Sequence, residues 1–292
     1  MAIEKRTLGR TGLDVTILGY GAMELRHDKV DDEQASKLLN AVLDGGINFI
    51  DTAPDYGKSE DMIGKHIAHR RDEYILATKC GCPVPADPAQ QEPHHKWSAD
   101  RLMANIDSSL KRLKTDHVDI WQLHSGLPEE VEGTDVLEAM ERARQQGKVR
   151  FLAYSTKGRA AGDQGKALLE HFVQWDIFDA MQVVFSALNG PTDALMNTAR
   201  DRRKGLIVRG LTNVKDEEWA RWEAQKMDDL LPDGCSRHQF LLRFGFSHPA
   251  LCTSIPGTAN LDHLAENIAA AEQGPLDDAL HLETRKRLGL GY

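Results

Sequence analysis

The chain has 292 residues, of which 41% are hydrophobic and 28% are charged. These values are typical of a globular protein with one large α/β domain or two smaller ones. The formal net charge is −9 and the basic residues are scattered, which disfavours nucleic acid or an anionic membrane as a partner. The first residues are charged, and no run of about 18 apolar residues follows. We therefore expect neither a secretory signal nor a membrane span, and predict a cytoplasmic protein.

The pattern of cysteines argues against a disulfide framework and against a metal site. The four cysteines are Cys80, Cys82, Cys235 and Cys252. Their spacing is too irregular for a secreted disulfide scaffold, so we expect reduced thiols. Cys80 and Cys82 are followed by His94 and His95, a set that zinc could use. However, the paired spacings of zinc sites are missing and four prolines interrupt the segment, so we predict no metal.

Apolar, β-branched runs alternate with segments of helical periodicity along the whole sequence. No Ser/Gly linker or low-complexity stretch divides them, which predicts a single domain over residues 1–292. In chain order, the eight predicted strands are 15–23, 48–53, 74–80, 117–124, 149–156, 180–188, 205–212 and 252–257.

Turn residues and helical segments complete this pattern. The opening KRTLGRTGLDV, with Gly9 and Gly12 as turn residues, predicts a small hairpin before the first barrel strand. The predicted helices are Asp32–Leu43, Ser98–Leu113, Val131–Gln146, segments near 159–173, 191–203, 236–244 and 260–273, and a last helix near 277–288. Eight βα repeats within about 250 residues match a barrel better than an open doubly wound sheet. The sequence thus predicts an α/β fold, a (β/α)8 TIM barrel with an N-terminal β-hairpin and a C-terminal helix.

Three consecutive strands each end an inward, mainly apolar face with one ionisable residue. Alternation places His124 with Val118, Ile120 and Gln122, Lys79 with Ile75 and Ala77, and Asp51 with Ile47 and Phe49. A single Lys at a strand end usually reaches solvent, and a single His is usually structural. Strand C-termini, however, form the mouth of a barrel, where catalytic groups of this fold converge. We therefore interpret the three residues as parts of one active site.

Tyr56 lies five residues beyond Asp51, in a loop that can return over the same mouth. A phenol has a pKa of about 10 and transfers protons efficiently at neutral pH only when a nearby cation stabilises its anion. Lys79 can supply that cation, Asp51 can fix Lys79 by an ion pair, and His124 can hydrogen-bond the substrate oxygen.

The segments that carry these residues resemble those of the aldo-keto reductases. GINFIDTAPDYGKSE resembles the segment with the family's catalytic Asp and Tyr, ILATKCG the segment with its Lys, and DIWQLH the segment with its His. The resemblance covers nearly the whole chain. It implies an NAD(P)H-dependent oxidoreductase in which Tyr56 protonates a carbonyl oxygen while the nicotinamide delivers hydride. The implied substrates are small aldehydes and ketones, or alcohols in the reverse direction.

The resemblance also implies a nicotinamide site at the ends of later strands. AYST resembles the segment that holds the carboxamide, through Ser155 and through Thr156, which replaces the more common Asn and lacks its amide donor. Gln182 corresponds to a further carboxamide ligand. Arg209 stands where a ring-stacking Tyr is common, and Gly210 follows it in the same implied site.

SIPGTANLDHLAEN resembles the family's adenosine-phosphate segment. The contact residues that it implies are Gly257, Thr258, His263, Glu266 and Asn267. Gly257 and His263 fall where many NADP-dependent members have Lys and Arg, which weakens the charge offered to a 2′-phosphate. Relatives with this glycine-threonine variant are nevertheless often NADP-dependent, so NADP(H) is favoured and NAD(H) is the alternative.

Two other functions fit a barrel. A metal-dependent hydrolase would normally carry a His-x-His pair at the end of its first strand, which here ends Gly-Tyr-Gly-Ala-Met. A cofactor-binding, reductase-like interaction or sensor subunit with little turnover can retain all four catalytic residues and stays open as the alternative. We expect a monomer or a weak oligomer. Substrate specificity is expected in the loops 82–97, 125–133 and 213–235.

Overall fold

The structure of the chain is a computed structural model. It describes residues 2–28, 30–83, 94–156, 162–188 and 193–290, with the side chains of 162–166 left out of the description. Residues 84–93 of the expected specificity loop 82–97 therefore lie outside the described residues. The same holds for the first residues, 159–161 and 191–192, of two predicted helices. Within the described ranges, each helix is too short or too polar to cross a bilayer.

Eight parallel strands form a nearly closed barrel. In chain order they are β3 (Tyr20–Gly21), β4 (Phe49–Asp51), β5 (Ile75–Cys80), β6 (Val118–His124), β7 (Val149–Ser155), β8 (Ala180–Val184), β9 (Gly205–Arg209) and β10 (Thr253–Ser254). Each pairs in parallel with the next strand in the chain. The first and last strands approach where Gly19 N donates to Ser254 O at 2.6 Å and Ser254 N donates to Ile17 O at 2.8 Å.

An antiparallel hairpin, β1 (Lys5–Thr7) and β2 (Asp14–Thr16), precedes the barrel as predicted. Gly9 has φ of 52°, in the left-handed region that favours glycine, and turns the chain between the two strands. Leu8 from this turn belongs to the apolar cluster inside the barrel. A Cβ on Gly205 would lie 2.5 Å from Leu8 Cγ, so the hairpin closes the N-terminal end of the barrel in direct contact with β9.

Helices surround the sheet. They are α1 (Asp32–Asp44), α2 (Ser59–His66), α3 (Ala99–Leu113), α4 (Pro128–Val131), α5 (Val136–Gln145), α6 (Gly162–Phe172), α7 (Asp193–Asp201), α8 (Asp216–Ala224), α9 (Arg237–Phe246), α10 (Leu261–Gln273) and α11 (Asp278–Arg287). In α3, Leu102 and Ile106 share the buried face, and Ser98 Oγ accepts from Arg101 N at 3.4 Å to cap the first turn.

Several element boundaries differ from the prediction. The helix predicted over Val131–Gln146 begins only at Val136, because the chain between α4 and α5 is extended at Glu132 and has φ of 68° at Gly133. The strand predicted over 15–23 is divided between hairpin strand β2 and barrel strand β3. The short α2 was not predicted, and α8 lies inside the segment 213–235, which was assigned to a loop.

The predicted alternation of inward and outward side chains holds within the strands but fails at two positions near their beginnings. The interior cluster contains Leu8, Leu13, Val15, Phe49, Ala77, Ile120, Ala153, Ala180, Ile207, Cys252 and Ile255, with Ile75 against it. Ile47 and Val118, predicted to share this face, belong instead to the cluster outside the barrel. Ile47 precedes β4 and Val118 is the first residue of β6, where the alternation of an extended strand does not yet hold.

Candidate active site

A buried ion pair lies at the C-terminal ends of β4 and β5. Lys79 Nζ donates to Asp51 Oδ2 at 2.6 Å and to Thr52 O at 2.9 Å. The two side chains are 0% and 3% exposed. Burial alone would lower the pKa of Lys79, but the Asp51 carboxylate and Tyr56 outweigh it and raise that pKa above its usual range. Lys79 is therefore a permanent cation in the barrel mouth.

Neutral amides hold the other oxygen of Asp51. Gln122 Nε2 and Gln182 Nε2 donate to Asp51 Oδ1 at 2.6 and 2.8 Å. Gln182 Nε2 also donates to Gln122 Oε1 at 3.0 Å, and Ser155 Oγ donates to Gln182 Oε1 at 3.0 Å. Gln122 lies on the predicted inward face of β6, although its sequence pattern alone does not predict a role in the site. The network connects four barrel strands and fixes the carboxylate that holds Lys79.

Tyr56 lies over the ion pair, as expected from its position after β4. Its ring centre is 4.7 Å from Lys79 Nζ, so the phenol lies next to the ammonium. Burial raises the pKa of Tyr56, while Lys79 lowers it, and the net result is a pKa above the usual 10.0. Lys79 thus acts on the phenol in the predicted direction, but burial is the larger effect and keeps the phenol protonated at neutral pH.

His124 ends β6 at the same mouth. Trp97 Nε1 donates to His124 O at 3.1 Å and holds this strand end in place. Burial, opposed by the nearby Asp55 carboxylate, lowers the pKa of His124 from 6.5 to about 3. The imidazole is therefore neutral at physiological pH, and it can donate or accept a hydrogen bond without carrying charge.

These residues surround a cavity of about 650 Å³ at the C-terminal end of the barrel. Nine of the predicted site residues line it, namely Asp51, Tyr56, His124, Ser155, Thr156, Gln182, Arg209, Gly210 and Gly257. Lys79 lies against the cavity wall, in contact with Asp51 and Tyr56. The position of the cavity is the one at which barrel enzymes bind their ligands.

Arg209 joins two strands across the cavity rim. Its Nη2 donates to Thr156 O at 2.8 Å and lies 3.4 Å from Thr156 Oγ1. Thr156, the residue that replaces the more common Asn, is therefore tied to the end of β9. The Arg209 guanidinium thus lies at the cavity rim, in place of the ring-stacking Tyr that is common at this position in the family that the sequence resembles.

The remaining predicted cofactor residues lie on or beside α10 and do not belong to the lining of this cavity. Thr258 Oγ1 accepts from Asn260 N at 3.0 Å, next to the first turn of α10, and His263 is exposed on that turn. Glu266 accepts from Ser236 Oγ at 2.5 Å, and Asn267 Oδ1 lies 2.6 Å from His238 Nε2. Both of these pairs join α10 to α9.

The cavity fits a nicotinamide group. Ser155 Oγ and Gln182 Oε1 retain acceptor capacity that the NH2 of a carboxamide can use. Gly21 and Gly257 allow two backbone segments to pack closely at the entrance, since a Cβ on Gly21 would lie 2.7 Å from Ile255 O and one on Gly257 would lie 2.9 Å from Gly21 O.

Comparisons with known proteins agree with this geometry. Residues 17–212 match the model of the Aldo/keto reductase family. Aldo-keto reductase YhdN of Bacillus subtilis is 31% identical over 238 residues, which are 78% of this chain and 68% of that protein. The uncharacterized oxidoreductase YqkF of the same organism is 27% identical over 286 residues, 92% of this chain and 91% of that protein.

A solved structure shows the same fold. The holo form of aldo-keto reductase AKR11C1 from Bacillus halodurans superimposes with a TM-score of 0.84, covering 99% of this chain and 97% of that chain at 24% identity. The family match, the curated relatives and the barrel agree with one another. The chain therefore belongs to the aldo/keto reductase family and is an NAD(P)H-dependent oxidoreductase.

Proposed function

We propose that this enzyme reduces a small aldehyde or ketone, with Tyr56 as the proton donor to the carbonyl oxygen. The arrangement of Tyr56 and Lys79 supports the proposal most directly, because the phenol lies over a buried ammonium on the wall of the mouth cavity. In the reverse direction the same phenol takes the proton from an alcohol.

The ion pair assists this proton transfer. The phenol is protonated at neutral pH, so it can act as an acid at the start of reduction. When the proton leaves, the adjacent ammonium of Lys79 stabilises the phenolate, in a site where water offers little screening. Asp51 holds Lys79 in position, and Gln122 and Gln182 hold Asp51.

His124 orients the substrate. Its ring is neutral, so a hydrogen bond to the carbonyl oxygen adds no second positive charge that would compete with the proton from Tyr56. Both side chains line the cavity, which supports a shared contact with the oxygen that is reduced.

A reduced nicotinamide, when bound, supplies the hydride. Ser155 and Gln182 are proposed to hold its carboxamide, with Thr156, Arg209 and Gly210 completing the contact surface. NADP(H) is favoured over NAD(H). The adenosine phosphate is assigned to Gly257, Thr258, His263, Glu266 and Asn267. A cytoplasmic location and a monomeric or weakly oligomeric state stay predictions.

Replacement of the phenol tests the proposal. We expect Tyr56→Phe to lower kcat for aldehyde reduction by about 10²-fold or more, while the cofactor difference spectrum is unchanged. Tyr74→Phe is a matched control, because Tyr74 is a buried tyrosine at the start of β5, at the opposite end of the barrel. Turnover by Tyr56→Phe at the rate of this control would remove Tyr56 from the acid role.

A substrate panel tests the reaction class. Aldehydes, ketones and sugars are each assayed with NADPH and with NADH, and cofactor binding is followed in parallel. Turnover of a small carbonyl supports the proposal. Cofactor binding without turnover of any compound in the panel would instead support the non-catalytic interaction or sensor subunit.

A further inference from the structure

Four potential metal ligands converge beside the catalytic residues. Asp55, Cys82, His95 and His124 each offer one ligand atom, and these atoms all lie within 4.8 Å of one another. Asp55 follows β4, His124 ends β6, and the other two belong to the segment after β5. The cluster thus joins two loops and the end of one strand at the mouth of the barrel.

The distances between these atoms are close to those of a tetrahedral zinc site. His124 Nδ1 lies 3.1 Å from Cys82 Sγ and 3.1 Å from His95 Nε2. Asp55 Oδ2 lies 3.4 Å from His95 Nε2 and 3.8 Å from His124 Nδ1. Tetrahedral bonds of about 2.0–2.3 Å from zinc to N, O and S place neighbouring ligand atoms about 3.3–3.6 Å apart. A small adjustment of the side chains would bring all four atoms to that separation.

Hydrogen bonds alone do not satisfy this cluster. Each imidazole nitrogen carries either one proton or one lone pair in the ring plane. His124 Nδ1 faces two partners, Cys82 Sγ and His95 Nε2, and the latter nitrogen also faces Asp55 Oδ2. In the part of the chain that the structure describes, Asp55 Oδ1 is buried without a hydrogen-bond partner. A cation at the common centre would pair with all four side chains at once.

We propose that Asp55, Cys82, His95 and His124 form a closed binding site for one Zn²⁺ ion. Two neutral imidazoles, one thiolate and one carboxylate balance the double charge of the ion, and mixed N and S donors favour zinc over magnesium or calcium. Four protein ligands leave no open position, so the ion is structural and does not polarise a substrate. This site shares His124 with the proposed reduction, but zinc binding through its Nδ1 can be measured without any assay of turnover.

The ligand set differs from the pattern visible in the sequence. That pattern grouped Cys80 and Cys82 with His94 and His95. In the structure, Cys80 Sγ donates to Gln122 O at 3.4 Å and His94 is exposed, so one member of each pair takes part. His124 completes the site and binds through Nδ1. Coordination there leaves the proton on Nε2, which fixes the ring as a hydrogen-bond donor.

Zinc titration tests the proposal. Chelator-treated, reduced protein is titrated with Zn²⁺ in competition with a chromophoric chelator. We expect one equivalent to bind more tightly than about 1 μM. Cys82→Ser and His95→Ala should each weaken binding by about 10²-fold or more, because each removes one of four ligands. His94→Ala and Cys235→Ser are matched controls and should bind as the unmodified chain does.

Cobalt provides a second readout that does not depend on enzyme activity. Co²⁺ should give the intense visible absorption of a tetrahedral ion and a thiolate charge-transfer band, which Cys82→Ser should remove. If Cys82→Ser fails to fold, His95→Ala decides the question, since the His95 side chain is 28% exposed and its replacement is tolerated more readily. Absence of stoichiometric zinc binding, or equal affinity in His95→Ala and His94→Ala, would overturn the proposal.

Discussion

Lys79 Nζ lies 2.6 Å from Asp51 Oδ2 with both side chains withdrawn from solvent, and the same ammonium lies 4.7 Å from the centre of the Tyr56 ring. A buried ion pair is costly to form because both charges lose their hydration. It is retained here in contact with the proposed acid, where a fixed positive charge assists proton transfer. Stability and the proposed proton transfer are therefore expected to depend on the same two residues.

Replacement of one partner should expose this dependence. We expect Lys79→Met to lower the free energy of unfolding by about 3–5 kcal/mol, because it leaves the Asp51 carboxylate buried without its cation. The double variant Lys79→Met/Asp51→Asn should regain part of that stability while staying inactive. Urea unfolding of the three proteins checks this. Equal stability of Lys79→Met and the unmodified chain would show that the pair contributes nothing to the fold.

A second ion pair, at Asp193, predicts that the free energy of unfolding depends on pH in the acidic range. Asp193 Oδ1, at the start of α7, lies 2.8 Å from Arg285 Nη1 and 3.4 Å from His248 Nε2. Burial would raise the pKa of Asp193, but His248 and Arg285 outweigh it and lower that pKa from 3.8 to about 2. Since the folded pKa is below the unfolded one, the stabilisation is complete above about pH 4 and is lost as the pH falls toward 2.

Asp193→Asn should therefore cost about 1–2 kcal/mol near pH 7, and less below pH 4. Urea unfolding at several pH values measures the difference. Asp201→Asn, in the same helix, is the control, because its ion pair with Arg200 is exposed and should contribute little. A constant difference between Asp193→Asn and the unmodified chain down to pH 3 would contradict the assignment.

The favoured cofactor leads to a prediction at α10. His263 is exposed on the first turn of this helix, where the adenosine phosphate is assigned. Arginine there offers a permanent charge to a 2′-phosphate, so His263→Arg should tighten NADPH binding by about 5- to 10-fold and leave NADH unchanged.

Fluorescence titration with both cofactors measures this effect. His69→Arg makes the same charge change at an exposed position before β5, at the opposite end of the barrel, and should alter neither affinity. If His263→Arg raises the affinity for NADPH and for NADH equally, this position does not face the 2′-phosphate.

The fold and the shared position of the proposed catalytic residues follow from local features of the sequence. Regular alternation of strands and helices predicts the barrel, and parity within β4, β5 and β6 predicts that Asp51, Lys79 and His124 share its mouth. Alternation is a property of extended strands, and it fails at Ile47, which precedes β4, and at Val118, the first residue of β6. Gly133, with positive φ, lies before α5, which begins later than periodicity predicts.

Contacts between distant segments are not predictable in this way. Gln122 is uncharged, and its partner Asp51 is 71 residues away in the chain, so nothing in its local sequence indicates a role in the site. Asp55 and His95 likewise approach His124 only because two loops fold over the mouth. Loop conformation depends on such packing and not on a repeating pattern.

The closed, apolar N-terminal end of the barrel has a consequence for the proton that the proposed acid Tyr56 gives up. Beneath Lys79 and Asp51 the barrel interior is filled by apolar side chains, among them Phe49, Ala77 and Ile120. Such a core carries no groups that relay protons. After each proposed reduction, the phenolate must therefore recover its proton from the mouth side, once product has made room for water. Reprotonation of the Tyr56 phenolate is therefore expected to be coupled to product release.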